Sequence, residues 1–268
     1  PKLKRILLNE KSNTVIFSGN PRDISQIISI IYFFLRKKKI FAWGMFHRIG
    51  RQKKMTTLYY KLVSALVNKC LTYSGIGARN LISIGVKKHK VKIVGTAIDE
   101  KIPFLFQKNK TKEELDSFKK IEELEHKKII LQVVRLSKIK KPELLILAAE
   151  LLVKKHNDLI FVLIGDGELR DQIELLIHQK NLQNNFRLLG AVYDENILSS
   201  WFMLSKIFVV PTCIGLSLHH AMSYGLPVIT DNSLDCQASE SDIISDGLNG
   251  IFYDEGSPDS LAEKIEKL

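Results

Sequence analysis

Residues 208–232 read FVVPTCIGLSLHHAMSYGLPVITDN, and this stretch decides the fold. Phe208 to Val210 closes a short buried strand, which Pro211 and Thr212 break. Cys213, Ile214, Gly215 and Leu216 form a tight turn. Ser217 to Tyr224 carries a helical pattern, and Gly225 is the residue favoured just past a helix end. Leu226 to Thr230 is the next strand. A strand, a glycine turn and a helix N-terminus aim backbone N–H groups and a positive dipole end at one point, which suits a phosphate. On geometry alone, the alternative is a βαβ crossover that holds no ligand.

Upstream, Lys128 to Val134 is a continuous apolar run, as expected of a central parallel strand. The loop that follows carries Arg135 and Lys140 ahead of a helix over 143–155. Two cations at the C-terminal edge of a sheet suit a diphosphate, Arg as a planar fork and Lys as a point charge. A basic turn that complements nothing is the alternative. The next strand, 159–164, ends in Gly165-Asp166-Gly167, and a helix runs over 168–179. A strand over 186–189 stops at Gly190, with Ala191, Val192 and Tyr193 in the loop beyond. Downstream of the opening stretch come a turn at 246–250, a strand at 251–253 and a closing helix at 258–267. Strands and helices alternate throughout, so residues 128–268 form a doubly wound parallel domain.

The other half repeats the pattern. A basic opening segment leads to a strand over 13–18, and Asp23 caps a helix through Ile24, Ile27, Ile31 and Phe34. Residues 40–43 form a strand, and the loop after Gly44 holds His47, the N-terminal candidate for a catalytic residue because ligands bind beyond strand C-termini. A surface histidine in a basic patch is its other reading. An amphipathic helix over 56–67, with Lys53 and Lys54 before it, suits packing on a sheet or resting on a membrane surface. Strands at 69–73 and 91–94 flank a helix at 78–84. Residues 1–108 thus form one Rossmann-like domain, shortened relative to a full one. Residues 109–127 are a linker helix with Thr111 and Glu114 spaced as a capping box.

Charge separates the halves. Residues 1–108 hold 22 Lys and Arg against 4 Asp and Glu, whereas residues 109–268 hold 18 against 25, within a formal net charge of +11. A basic half suits an anionic acceptor or an anionic membrane. No stacking-aromatic or recognition-helix motif points to nucleic acid. Three scattered cysteines fit a reducing compartment and neither a disulfide framework nor a zinc site. The most apolar N-terminal run, 24–35, is too short to cross a bilayer. These features lead us to expect a cytoplasmic protein, either free or peripheral on the inner face of the membrane.

In order, "VVRLSKIKKPELLILAAELL", "LIGDGELRDQIELL", "FRLLGAV" and "PTCIGLSLHHAMSYGLPVITDN" followed by "DGLNGIFYDEGSPDSLAEKI" resemble the nucleotide-sugar half of glycosyltransferase family 4. That family comprises retaining enzymes with two Rossmann-like domains, the GT-B arrangement. The resemblance implies that Arg135 and Lys140 meet the donor diphosphate. It brings the backbone of Ile214, Gly215, Leu216 and Ser217 to the distal phosphate and sugar. Gly190 and Val192 border the base, and Gly165 and Asp166 shape the cleft floor. Many members carry two glutamates eight positions apart, facing sugar and ribose; Thr212 and His220 stand there in this chain. The implied activity is retaining transfer of a sugar from a nucleotide diphosphate sugar to a glycan or lipid-linked acceptor, with no required metal. A sugar-nucleotide epimerase and a non-catalytic donor-binding module are the alternatives on the same fold.

Overall fold

A computed structural model describes residues 11–21, 23–48, 50, 52–233 and 236–268. The basic opening segment, residues 1–10, lies outside them. The chain divides into two compact units, Pro1–Thr96 and Ala97–Leu268.

In the first unit, four strands form a parallel sheet in the order β1-β2-β3-β4: β1 Thr14–Ser18, β2 Lys39–Gly44, β3 Lys69–Thr72 and β4 Val91–Ile93. They are joined by α1 Ile24–Leu35, α2 Lys54–Leu66 and α3 Gly75–Ser83. Right-handed crossovers between successive neighbours put all three helices on one face of the sheet. The core follows from that layering. Ile30 and Phe33 of α1, Tyr60 and Val63 of α2 and Leu81 of α3 bury themselves with Ile40, Ala42 and Cys70 of the sheet. Asp23 caps α1 as expected, its carboxylate accepting the Ser25 N–H at 3.1 Å.

The second unit opens with α4 Lys101–Asn109 and α5 Lys112–Ile121. Its six parallel strands are β5 Lys128–Val133, β6 Leu159–Ile164, β7 Phe186–Gly190, β8 Ser205–Val209, β9 Val228–Asp231 and β10 Gly250–Tyr253. Between them run α6 Glu143–Leu152, α7 Arg170–Gln179, α8 Glu195–Leu204 and α9 Ser217–Ser223, and α10 Pro258–Lys267 closes the chain. The strand order is β10-β9-β8-β5-β6-β7. The chain builds outward from β5 on one side, then returns to lay β8 on its other flank. That reversal is the mark of a doubly wound sheet, while the described strands of the first unit run in one direction only. All six residues of β6 are buried, as are the four central residues of β5, which requires cover on both sheet faces.

The division between units falls at residues 96/97, ahead of the boundary expected at 108. The reason is α4, a helix the sequence reading left out. Gln107 donates to the Ser223 carbonyl at 2.7 Å, and Lys110 donates to Ser199 Oγ at 3.0 Å, so this segment packs on α8 and α9. Pro103 sits in the first turn of α4, where the missing N–H would have no intrahelical partner anyway. The capping box is present: Thr111 Oγ1 accepts from Glu114 N at 3.2 Å and Glu114 Oε2 from Thr111 N at 2.8 Å.

Candidate active site

The strand-order reversal between β5 and β8 parts the loops at their C-terminal ends, and open α/β sheets bind ligands in that crevice. Three loops are sewn into one rim. Val134 N donates to Ile164 O at 3.0 Å, Leu136 N to Asp166 O at 3.0 Å and Leu169 N to Leu136 O at 3.1 Å, tying the β5 loop to the β6 loop. Gly165 N donates to Gly190 O at 2.7 Å, tying both to the end of β7. Contact this close needs glycine: a Cβ on Gly165, whose φ is +136°, would lie 1.8 Å from the Val134 carbonyl oxygen.

Lys140 crosses the crevice. It stands on the short turn Lys138–Lys140, and its ammonium donates to the Cys213 carbonyl in the turn after β8. A Cβ on Gly215 would lie 3.9 Å from that ammonium. The structure therefore brings together Lys140 and the 213–215 turn, which are 73 positions apart in the chain. Burial lowers the Lys140 pKa below the usual lysine value, with Cys213 and Glu240 pulling the other way. Arg135 stands exposed on the same loop.

The 211–217 turn is braced from beneath. Ile214 N donates to Gln237 Oε1 at 3.1 Å. Gln237 Nε2 reaches Thr230 Oγ1 at 3.1 Å, the Asp231 carbonyl at 3.0 Å and Asp231 Oδ1 at 2.5 Å. Tyr253 OH donates to the Pro211 carbonyl at 2.8 Å. Desolvation raises the Asp231 carboxyl above the ordinary carboxylate range, against the pull of Thr212 and Gln237. Cys213 holds a left-handed φ of 53° in the middle of the turn, a conformation costly for a residue with a side chain and held here by this bracing.

This bracing refines the expectations from sequence. The Ile214 N–H is engaged by Gln237, so the turn presents its backbone donors from Gly215 onward, through Leu216 and Ser217. Thr212 is fully buried, its hydroxyl against Cys213 Sγ at 3.9 Å and the Asp231 carboxylate, so it turns inward beneath the turn. His220 is half-buried on α9 with its ring stacked 6.2 Å from that of Phe202. Asp166 is exposed, and its Oδ1 accepts the Gly167 N–H at 2.7 Å. Val192 packs at the margin of the core beyond β7. Three residues escaped the sequence reading. Gln237 and Asp231 form the brace, and Arg170 begins α7 with its Nη1 3.2 Å from where a Gly190 Cβ would stand. Arg170 lies within the quoted "GDGELRDQ" run, where a cation one turn past the glycines was the available signal; nothing local marks Gln237.

His47 belongs to the first unit, whereas every other candidate belongs to the second. Its Nδ1 lies 3.1 Å from the Met45 carbonyl, and its Nε2 is buried with no partner among the described residues.

A doubly wound sheet with a lysine and a braced glycine turn facing each other at its switch point defines a ligand-binding α/β unit. The chain belongs to the family Glycosyl transferases group 1, whose model matches residues 113–268. It is 33% identical over 141 residues to the poly(ribitol-phosphate) α-N-acetylglucosaminyltransferase of Staphylococcus aureus, covering 53% of this chain and 28% of that protein. It is 30% identical over 149 residues to the 2-deoxystreptamine N-acetyl-D-glucosaminyltransferase of Niallia circulans, covering 54% of this chain and 37% of that protein. The chain thus matches well under half the length of either relative. By structure it resembles Anabaena HepE, solved with UDP, at a TM-score of 0.77 and 15% identity over 99% of this chain and 70% of that one. A Rickettsia africae glycosyltransferase gives 0.78 and 19% over 99% and 69%. These are GT-B structures, and the two parallel sheets match theirs.

Proposed function

We propose that the second unit binds the nucleoside diphosphate of a nucleotide sugar, and that the protein transfers the sugar, with retention of configuration, to a glycan or lipid-linked acceptor. The observation that carries this reading is the placement of Lys140 against the 213–215 turn at the sheet's switch point. An ammonium that already holds a carbonyl across the crevice is positioned to meet a diphosphate oxygen entering beside it. Arg135, exposed on the same loop, closes on the diphosphate as a planar fork.

Transfer breaks the bond between the anomeric carbon and the distal phosphate oxygen, so negative charge grows on the departing diphosphate. Fixed donors aimed at that charge lower the barrier, because they need no reorganisation as it develops. Here those donors are Arg135, Lys140 and the backbone N–H groups of Gly215, Leu216 and Ser217. In this reading these cations neutralise the leaving group without a metal. His220, on the helix that follows the turn, reaches the sugar or ribose through a single imidazole hydrogen bond, a weaker hold than a bidentate carboxylate gives. Gly190 and Val192 border the base, and Gly165 and Asp166 underlie the cleft. The first unit supplies the acceptor side, with His47 as its candidate proton acceptor.

A thermal-shift screen of nucleoside diphosphates and their sugars tests this directly. At least one diphosphate is expected to raise the melting temperature, and its monophosphate to raise it less. No shift with any diphosphate overturns the reading.

A further inference from the structure

A helix packed on a sheet ordinarily turns polar residues to the outside. In the first unit, two neighbouring helices do otherwise. On α1, Ile30 and Phe33 fill the core, while Ile28, Ile31 and Leu35 form a second apolar stripe at helical spacing on the outer side. On α2, Tyr60 and Val63 are buried, while Met55, Leu58 and Leu62 form a matching outer stripe. These side chains are well exposed, Leu35 at 74%, Met55 at 75% and Leu58 at 61%. Because α1 and α2 pack side by side on one sheet face and bury their opposite sides in the same core, both stripes lie on the outer side of one helical layer.

Cations border it. Arg36 and Lys37 follow the last turn of α1, Lys53 and Lys54 stand at the start of α2, and Lys61 sits between Leu58 and Leu62; Lys38 instead donates to the Ser12 carbonyl at 2.6 Å. Residues 11–96 contain a single carboxylate, Asp23, and it is committed to the start of α1. An apolar face ringed by positive charge repels a second copy of itself and attracts a surface that is anionic outside and apolar beneath.

We infer that the outer face of α1 and α2 is a docking surface for an anionic phospholipid bilayer, with both helices lying in the plane of the headgroups. The helices are 12 and 13 residues long, and no helix among the described residues is long and apolar enough to cross a membrane. The unit therefore rests on the bilayer through these helices. Leu35, Met55, Leu58 and Leu62 enter the acyl boundary, and the lysines meet the phosphates. This inference is independent of the donor-site reading: lipid binding and nucleotide binding are measured separately, and either can fail alone.

Vesicle flotation of the whole chain is the test, with phosphatidylcholine vesicles made with and without phosphatidylglycerol. The chain is expected to float with the anionic vesicles, less so as salt rises, and to stay behind with the neutral ones. Ile31→Gln/Leu58→Gln/Leu62→Gln is expected to lower partitioning by roughly ten-fold or more. Lys54→Glu/Lys61→Glu does the same through charge, by roughly ten-fold. Both variants change exposed positions, so their circular dichroism and melting should match the parent chain. Absence of flotation, equal partitioning into neutral vesicles or full binding by the triple variant overturns the inference. So does a dimer in sedimentation velocity that the triple variant abolishes, since the face would then belong to a second copy.

Discussion

Asp231 and Lys140 show how individual residues are placed at a cost to stability. Burial raises the Asp231 pKa, so the folded chain keeps a proton that the unfolded chain releases once the pH passes about 3.8. Stability from this group is fully present below that value and is lost as the pH rises toward the higher native pKa. Asp231→Asn removes the titration while leaving an oxygen for Gln237. The variant is expected to melt at or above the parent at neutral pH, with the difference shrinking as the buffer is acidified below 3.8. A gap that stays constant with pH contradicts this. Lys140 is the opposite case, its pKa lowered from 10.5 by burial. Diphosphate affinity is expected to fall at a pH below that of an ordinary lysine, and Lys140→Met should flatten the decline. An unchanged alkaline limb in Lys140→Met would assign it to another group. Neither role was legible in the sequence. Asp231 looks like a strand-end residue, and its partner Gln237 meets Ile214 across 23 positions through packing that no periodicity encodes.

At the scale of elements, the glycine turns hold the rim together. Gly165→Ala places a methyl against the Val134 carbonyl and forces a backbone with φ of +136° to accept a side chain. The expected loss is about 3 kcal/mol, or roughly 6–12 °C in a unit of this size. Thermal melting within a degree or two of the parent would show that the β5 and β6 loops part without penalty. Elements with strong local signals were readable: Asp23 and the Thr111–Glu114 box mark helix starts, and the apolar runs of β5 and β6 mark buried strands. The α4 helix was not: residues 101–109 were given no element of their own, and Pro103 is compatible with a helix only in its first turn, where it sits. The orientation of Thr212 was not legible for a related reason. Its position matches a ligand-facing glutamate in the resemblance, but its orientation depends on Asp231 beneath it.

At the scale of the molecule, alternating strands and helices gave two parallel α/β units, and the charge asymmetry separated them. The boundary shifted because α4 packs through Gln107 and Lys110 onto the second unit. A polypeptide of residues 97–268 is therefore expected to unfold in one cooperative transition. One beginning at residue 112 is expected to melt lower, having uncovered the surfaces of α8 and α9. Equal melting of the two would place α4 outside the folded unit.

The donor cradle is tested most directly by calorimetric titration of UDP, a representative nucleoside diphosphate, into the parent chain, Arg135→Ala and Lys140→Ala. Loss of one charge-assisted hydrogen bond is worth about 1.5–3 kcal/mol, so affinity should fall roughly ten-fold or more in Lys140→Ala and measurably in Arg135→Ala, with both variants still folded. Parent-level affinity in both variants would contradict the placement of the diphosphate between the β5 loop and the 213–217 turn.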